Sequence, residues 1–271
     1  MAIYGLATTI PEIPMPKVLI TGCSSGFGLE TAKLFLERGW KVVATMRNPN
    51  NDLLPASDNL TVLPLDVTDP ASISRAIQQA GDIDVLVNNA GFGAAVPIEL
   101  IEPETARQLF ETNMLGTLAT VQAVLPKFRA RRSGTIINVT STATLKPLPL
   151  VSVYRASKAA VNALTESLAV EMEPFGIRVH IVLPGRSPET SFRHNAMPHL
   201  RGLDNPDYKP LIEGMIANSR EDRGPVTHAI DVAEAVWQAA TDPNAPLRIP
   251  AGEDAVQRMA EAEAIASALD H

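Results

Sequence analysis

The 271 residues, 45% hydrophobic and 20% charged, suffice to bury a large core and have the make-up of an ordinary soluble globular protein. A net charge of -7 excludes the basic footprint expected of a protein that binds nucleic acid or an anionic membrane, and no apolar run reaches the roughly 18 residues that span a bilayer. The single cysteine, Cys23, can form neither an internal disulfide nor a thiolate metal cluster, which fits a reducing cytoplasm.

Met1 to Pro16 lacks a basic stretch followed by an apolar block, and Pro11, Pro14 and Pro16 interrupt it. It reads as a peripheral N-terminal extension and not as a signal peptide. Lys17 to Thr21 predicts a strand that runs into glycines, and Phe27, Thr31, Leu34, Phe35 and Arg38 carry the spacing of a helix over 27–38. Further β-rich runs lie at Lys41 to Thr45, Leu60 to Pro64, Val85 to Asn88, Thr135 to Val139, Arg178 to Leu183 and Leu247 to Ile249. Amphipathic segments at 71–80, 104–124, 153–173 and 231–241 separate them. This alternation predicts a single α/β domain over 17–271: a doubly wound, Rossmann-type fold with a mostly seven-stranded parallel sheet and helices on both faces. The stretch from Arg186 to Pro225 is too long and irregular for a plain connector and is expected to be a substrate-binding lid, with Phe192, Met197, Leu203, Tyr208 and Met215 as its apolar residues.

Two constellations carry chemistry. Tyr154 and Lys158 stand four residues apart on one face of the 153–173 helix, and Ser141 lies thirteen residues before the tyrosine. An ammonium beneath a phenol favours the ionised form, so the pair is expected to bring a side chain with a reference pKa of about 10 into use as an acid/base. The second is Gly22, Ser24, Ser25, Gly26, Phe27 and Gly28, between the first strand and the first helix. There the free N–H groups of a helix N-terminus can meet a pyrophosphate, and glycines let the backbone approach it.

The pattern Thr21-Gly22-x-x-x-Gly26-x-Gly28, with Asn88-Asn89-Ala90-Gly91 after the fourth strand, Asn113, Ser141, the Tyr154 and Lys158 pair, and Pro184-Gly185 after the sixth strand, resembles the classical short-chain dehydrogenase/reductase family over about residues 17–185. The resemblance implies Tyr154 as general acid/base, Lys158 as the group that lowers its pKa and binds the nicotinamide ribose, Ser141 as the donor that polarises a carbonyl, and Asn113 as the holder of a water in a proton relay. Asn89, Ala90, Gly91, Pro184 and Gly185 would line the cofactor, while Asp66 and Val67 match the family's adenine-contacting pair. The family usually places a threonine three residues beyond the glycine of Pro184-Gly185; here Glu189 stands there and Thr190 follows.

Arg47 follows the second strand where an NAD-preferring fold carries a carboxylate for the ribose hydroxyls, and a guanidinium suits a 2′-phosphate, so NADP(H) is expected over NAD(H). Ala143, Leu145, Leu148 and Val153 make the expected pocket mostly apolar, which points to a hydrophobic carbonyl or alcohol as the small-molecule substrate. His180, His194, His199, His228 and His271 show no metal-ligand spacing. By analogy with the family, assembly as a homodimer or homotetramer through the helices of Asn113 and Tyr154 is expected. The alternative from another class is a nucleotide-sensing protein that keeps the fold without turnover.

Overall fold

The computed structural model describes residues 15–188, 200–221 and 224–269. The expected N-terminal extension is therefore described only at its end, and Glu189, Thr190, Phe192, His194, Met197, His199 and His271 lie outside the described residues.

Seven strands form one all-parallel sheet: β1 (Lys17–Thr21), β2 (Lys41–Met46), β3 (Leu60–Pro64), β4 (Val85–Asn88), β5 (Gly134–Val139), β6 (Ile177–Pro184) and β7 (Arg248–Ala251). Their order is β3-β2-β1-β4-β5-β6-β7. The chain winds outward from β1 in one direction, then crosses to β4 and winds in the other. This is the doubly wound topology predicted from the alternation, and its crevice opens where β1 and β4 part at their C-terminal ends.

The helices are α1 (Gly26–Glu37), α2 (Pro70–Ala80), α3 (Pro103–Phe110), α4 (Gly116–Arg131), α5 (Ser152–Met172), α6 (Lys209–Glu221), α7 (Ala229–Thr241) and α8 (Glu253–Leu269). A strand buried on both faces needs cover on both. On one side Phe35 of α1 and Val232, Val236 and Ala239 of α7 pack over Val18, Ile20, Val42 and Val87. On the other, Ile73 and Ile77 of α2, Val121 and Phe128 of α4 and Leu168 of α5 pack over Leu19, Val43 and Leu86. Phe35, Trp40 and Trp237 meet edge-to-face with centroids 5.1 to 5.6 Å apart, joining α1, the turn after it and α7. Phe35→Ala should therefore lower unfolding free energy by about 3–5 kcal/mol, to be read from urea unfolding of the purified chain; a loss below about 1 kcal/mol would show that this layer does not hold the fold.

Three features depart from the expectation. The 104–124 segment is interrupted by a π-turn at Glu111–Leu115, so Asn113 sits in a bulge between α3 and α4. The 186–225 stretch is not wholly irregular, because α6 occupies its second half. A C-terminal helix, α8, follows β7 and reaches back over the sheet rim. Among the described residues, no helix is long and apolar enough to cross a membrane.

Candidate active site

The site is built along the C-terminal rim of the sheet. Thr21, the last residue of β1, accepts on Oγ1 from the backbone N–H groups of Asn89 and Ala90, both at 3.0 Å. Asn89 Nδ2 returns the tie, donating to Thr21 O at 3.0 Å and Gly22 O at 3.2 Å. The two loops that face the crevice are thus cross-linked before any ligand arrives. Gly22 takes φ +75°, and a Cβ there would meet Ala90 Cα at 2.8 Å; a Cβ on Gly28 would collide with Asn89 Nδ2 and the Gly22 carbonyl. Both glycines are required by this close approach. Ser25 is the N-cap of α1 yet makes no side-chain cap, and the first turn holds no acidic residue. The N-terminal N–H groups and the positive end of the helix dipole are left for an anionic group. The donor set fits a dinucleotide pyrophosphate, with Gly22, Ser24, Ser25, Gly26, Phe27 and Gly28 as the residues that would hold it.

A buried polar chain fixes the next segment. Thr120 Oγ1 donates to Asn88 Oδ1 at 2.7 Å, Asn88 Nδ2 to Asn138 Oδ1 at 2.9 Å and Asn138 Nδ2 to Thr165 Oγ1 at 2.8 Å, which links α4, β4, β5 and α5. Each amide is satisfied, so the chain sets one register of helices on sheet. It also fixes α5, the helix carrying Tyr154 and Lys158, relative to the end of β5, where Ser141 begins a short 3-10 turn.

Tyr154, Lys158 and Ser141 do come together. Ser141 hydrogen-bonds the Tyr154 hydroxyl, and Ser141 Oγ accepts Ala143 N–H at 3.1 Å. With a donor on its lone pair, the serine hydroxyl has its own proton to offer. Arg155, next to the tyrosine, donates from Nε to Ala143 O at 2.9 Å and from Nη2 to Thr144 O at 3.2 Å, holding that turn against α5. Lys158 is buried, and its Nζ donates to Val139 O at 3.0 Å. The ammonium is expected to lower the phenol pKa, but burial has the larger effect, in the opposite direction. Burial pushes the Tyr154 phenol up to about 12 against the opposing hydrogen bond from Ser141. Burial also pushes Lys158 down to about 8. Desolvation disfavours both charged forms at once, and the ammonium bonds a main-chain carbonyl.

Asn113, in the bulge between α3 and α4, is held by its side chain on two elements. Its Oδ1 accepts Phe92 N–H at 3.0 Å, and its Nδ2 donates to Phe92 O at 3.0 Å and Ser157 Oγ at 3.0 Å. All three bonds go to protein groups, so the side chain clamps the segment after Gly91 onto α5. Gly91 itself lies against this clamp: a Cβ there would sit 2.8 Å from Asn113 Oδ1 and 3.2 Å from Lys158 Nζ.

Toward the adenosine end, Arg47 is exposed one residue past β2, and its charge acts on Asp66. The Asp66 carboxyl is held below its ordinary value, first by the backbone N–H of Thr68 and also by the Thr68 hydroxyl and the Arg47 guanidinium, against some burial. Val67 is buried against Gly116 of α4. At the other end of the rim, Pro184 closes β6 and Gly185 begins the following turn.

The wall around Tyr154 is apolar. Ala94, Val96, Leu109 and Ala143 are buried with it, and Phe92, Leu100, Val151 and Val153 pack against them. Of the expected pocket residues, Ala143 and Val153 belong to this wall, whereas Leu148 is 39% exposed and does not. Tyr208 stands outside it, donating its hydroxyl to Glu99 at 2.6 Å. Sequence reasoning missed Asp254, Thr227 and Arg258. Asp254 and Thr227 bond the turn after β6, and Arg258 Nη1 reaches Thr142 Oγ1 at 3.2 Å. A buried aspartate is the signal that could have found the first, once α8 was recognised.

Comparison with known proteins gives a consistent result. The family model described as short chain dehydrogenase matches residues 16–200. The chain is 35% identical over 241 residues, 87% of each protein, to 3-ketodihydrosphingosine reductase of Bacteroides thetaiotaomicron. The crystal structure of a short-chain dehydrogenase from Streptomyces avermitilis superposes with a TM-score of 0.81 at 30% identity, covering 96% of either chain. One from Burkholderia cenocepacia in complex with NADP does so with a TM-score of 0.74 at 28% identity, covering 95% of this chain and 97% of the other.

Proposed function

The chain belongs to the short-chain dehydrogenase/reductase family of oxidoreductases, and from that premise we propose that it is an NADP(H)-dependent enzyme interconverting a hydrophobic ketone or aldehyde with the corresponding alcohol. The observation that carries this reading is a buried phenol, hydrogen-bonded to Ser141, at the base of an apolar wall. When bound, the nicotinamide supplies the hydride. Tyr154 donates a proton from its hydroxyl to the carbonyl oxygen in reduction, and takes it back from the alcohol in oxidation. Ser141 donates to the same oxygen and polarises it as charge develops. Lys158 places a cation beneath the site, and Asn113 keeps the Phe92 segment and α5 in register. The lining of Val96, Leu100, Leu109 and Val153 excludes water and favours an apolar substrate. That the Bacteroides relative is named for a keto substrate supports the carbonyl class.

The segment around 200–221 is assigned to the substrate lid. Arg201 pairs with Glu102 and Tyr208 with Glu99, fastening it over the loop that holds Leu100. Assembly into a homodimer or homotetramer is supported by Leu115 and Val170, exposed at 42% and 72% near Asn113 and on α5.

Two experiments test the proposal. Loss of NADPH absorbance is expected with hydrophobic ketones; binding without oxidation across a broad ketone panel would favour the nucleotide-sensing alternative. Arg47→Asp should move the ratio of kcat/KM for NADPH over NADH toward NADH by about tenfold or more, since the guanidinium gives way to a group that repels a 2′-phosphate. An unchanged ratio would refute the clamp.

A further inference from the structure

We infer that Asp254, together with Thr227, is a positioning residue that fixes the Pro184-Gly185-Arg186 turn against the nicotinamide end of the cofactor, through hydrogen-bond geometry and not through charge. The inference rests on the proposed function above, because it assigns the ligand that the turn faces.

Asp254 is the second residue of α8 and is 6% exposed. A carboxylate so buried is costly unless its oxygens are bonded. Oδ2 accepts the Arg186 backbone N–H at 2.6 Å, and Oδ1 accepts the Thr227 hydroxyl at 2.7 Å. Thr227, fully buried, accepts the Gly185 N–H on Oγ1 at 2.8 Å, and its own N–H donates to Arg186 O at 2.8 Å. Two successive N–H groups of the turn are therefore held by residues 42 and 68 positions later in the chain. The contact is close: a Cβ on Gly185 would collide with the Asp254 carboxylate.

The location makes this more than a brace between two strands. Pro184 pairs with Ala251 in the β6–β7 register, so the turn lies at the same C-terminal rim as the glycine loop and the end of β5. One turn further along α8, Arg258 reaches Thr142, in the turn that Ser141 opens. The C-terminal helix thus touches both turns between which the reacting end of a dinucleotide must lie. The network also closes with an amide in place of the carboxylate. An asparagine oxygen could accept Arg186 N–H, its NH2 could donate to Thr227 Oγ1, and the threonine proton could pass to Ala251 O, 2.8 Å away.

The test measures dissociation constants of the full chain for NADPH and for 2′-phospho-ADP-ribose, which lacks only the nicotinamide, with circular dichroism as the check on folding. Asp254→Ala is expected to weaken NADPH about tenfold and 2′-phospho-ADP-ribose by less than about twofold, because only one end of the ligand loses its wall. Asp254→Asn should stay within about threefold of wild type for both. Thr227→Val, which removes only the hydroxyl holding Gly185, should reproduce the selective loss, and decides the matter should Asp254→Ala not fold. Equal weakening of both ligands, no weakening, or an asparagine variant as weak as alanine overturns the inference. A wild-type chain that binds neither ligand overturns the proposed function itself and this inference with it, whereas wild-type binding with unresponsive variants overturns this inference alone.

Discussion

Tyr154→Phe is expected to lower kcat for carbonyl reduction by about a thousandfold, within the roughly 10²–10⁴ range for a positioned general acid, while the dissociation constant for NADPH stays within about twofold. The substitution removes one oxygen from a side chain that is 7% exposed, and the ring still fills its place among Ala94, Val96, Leu109 and Ala143. What disappears is the proton donor and its bond to Ser141. Because burial holds the phenol at about 12, it is protonated throughout the neutral range and needs no activation to act as an acid. The reverse direction needs the phenolate. In the wild type, kcat/KM for alcohol oxidation should therefore climb as pH rises toward the phenol pKa, and the reduction rate should not. A Phe variant that turns over within about tenfold of wild type would remove Tyr154 from the mechanism.

The opposing directions at Tyr154 and Lys158 mark the limit of what the sequence could carry. Spacing of four on a helix correctly puts the two side chains on one face, and the glycine pattern correctly places a tight loop between β1 and α1. Both are local properties, set by helical periodicity and by which residues tolerate close backbone approach. The phenol pKa is not local: it depends on how far α5 sinks against β5, which is decided by the Asn88, Asn138 and Thr165 chain and the apolar layer behind it. The same holds for Asn113, whose amide has no visible partner in sequence because Phe92 lies 21 residues earlier and Ser157 lies 44 residues later. Asp254 is farther still, 68 residues from the backbone N–H that it accepts. The helix that carries it was also hard to see. Its alternating alanines and glutamates give no sharp apolar face, and only Gly252, at φ +95°, separates it from the short strand before it. Helix α6 was concealed for a related reason: it follows a run of prolines and turn residues that reads as irregular.

Lys158→Met should change activity and stability in opposite directions. Loss of the cation beneath the phenol is expected to cut kcat/KM by about a hundredfold or more, since no other Lys or Arg is seen to bond Val139 O among the described residues. Stability of the cofactor-free protein should rise. Burial holds the ammonium down to about 8, from its ordinary value of 10.5, with Val139 O as its hydrogen-bond acceptor at 3.0 Å. A cation whose folded pKa lies below its unfolded value binds fewer protons in the native state, so it costs stability below the folded pKa and that cost fades as pH rises from there toward the unfolded value. The Tm advantage of Lys158→Met should accordingly be largest near pH 7 and shrink between about pH 8 and 10. Above that, Tyr154 works the other way. Its raised pKa means that the folded state holds a proton the unfolded chain has lost, so both proteins lose stability as pH passes 10 toward 12. Thermal unfolding of the two proteins across this range, without NADPH, separates the effects. A Lys158→Met chain less stable than wild type at pH 7 would mean that the buried ammonium is a net structural support. A chain that is more stable but nearly inactive identifies it as a charge kept in an unfavourable place because the proton transfer at Tyr154 needs it there.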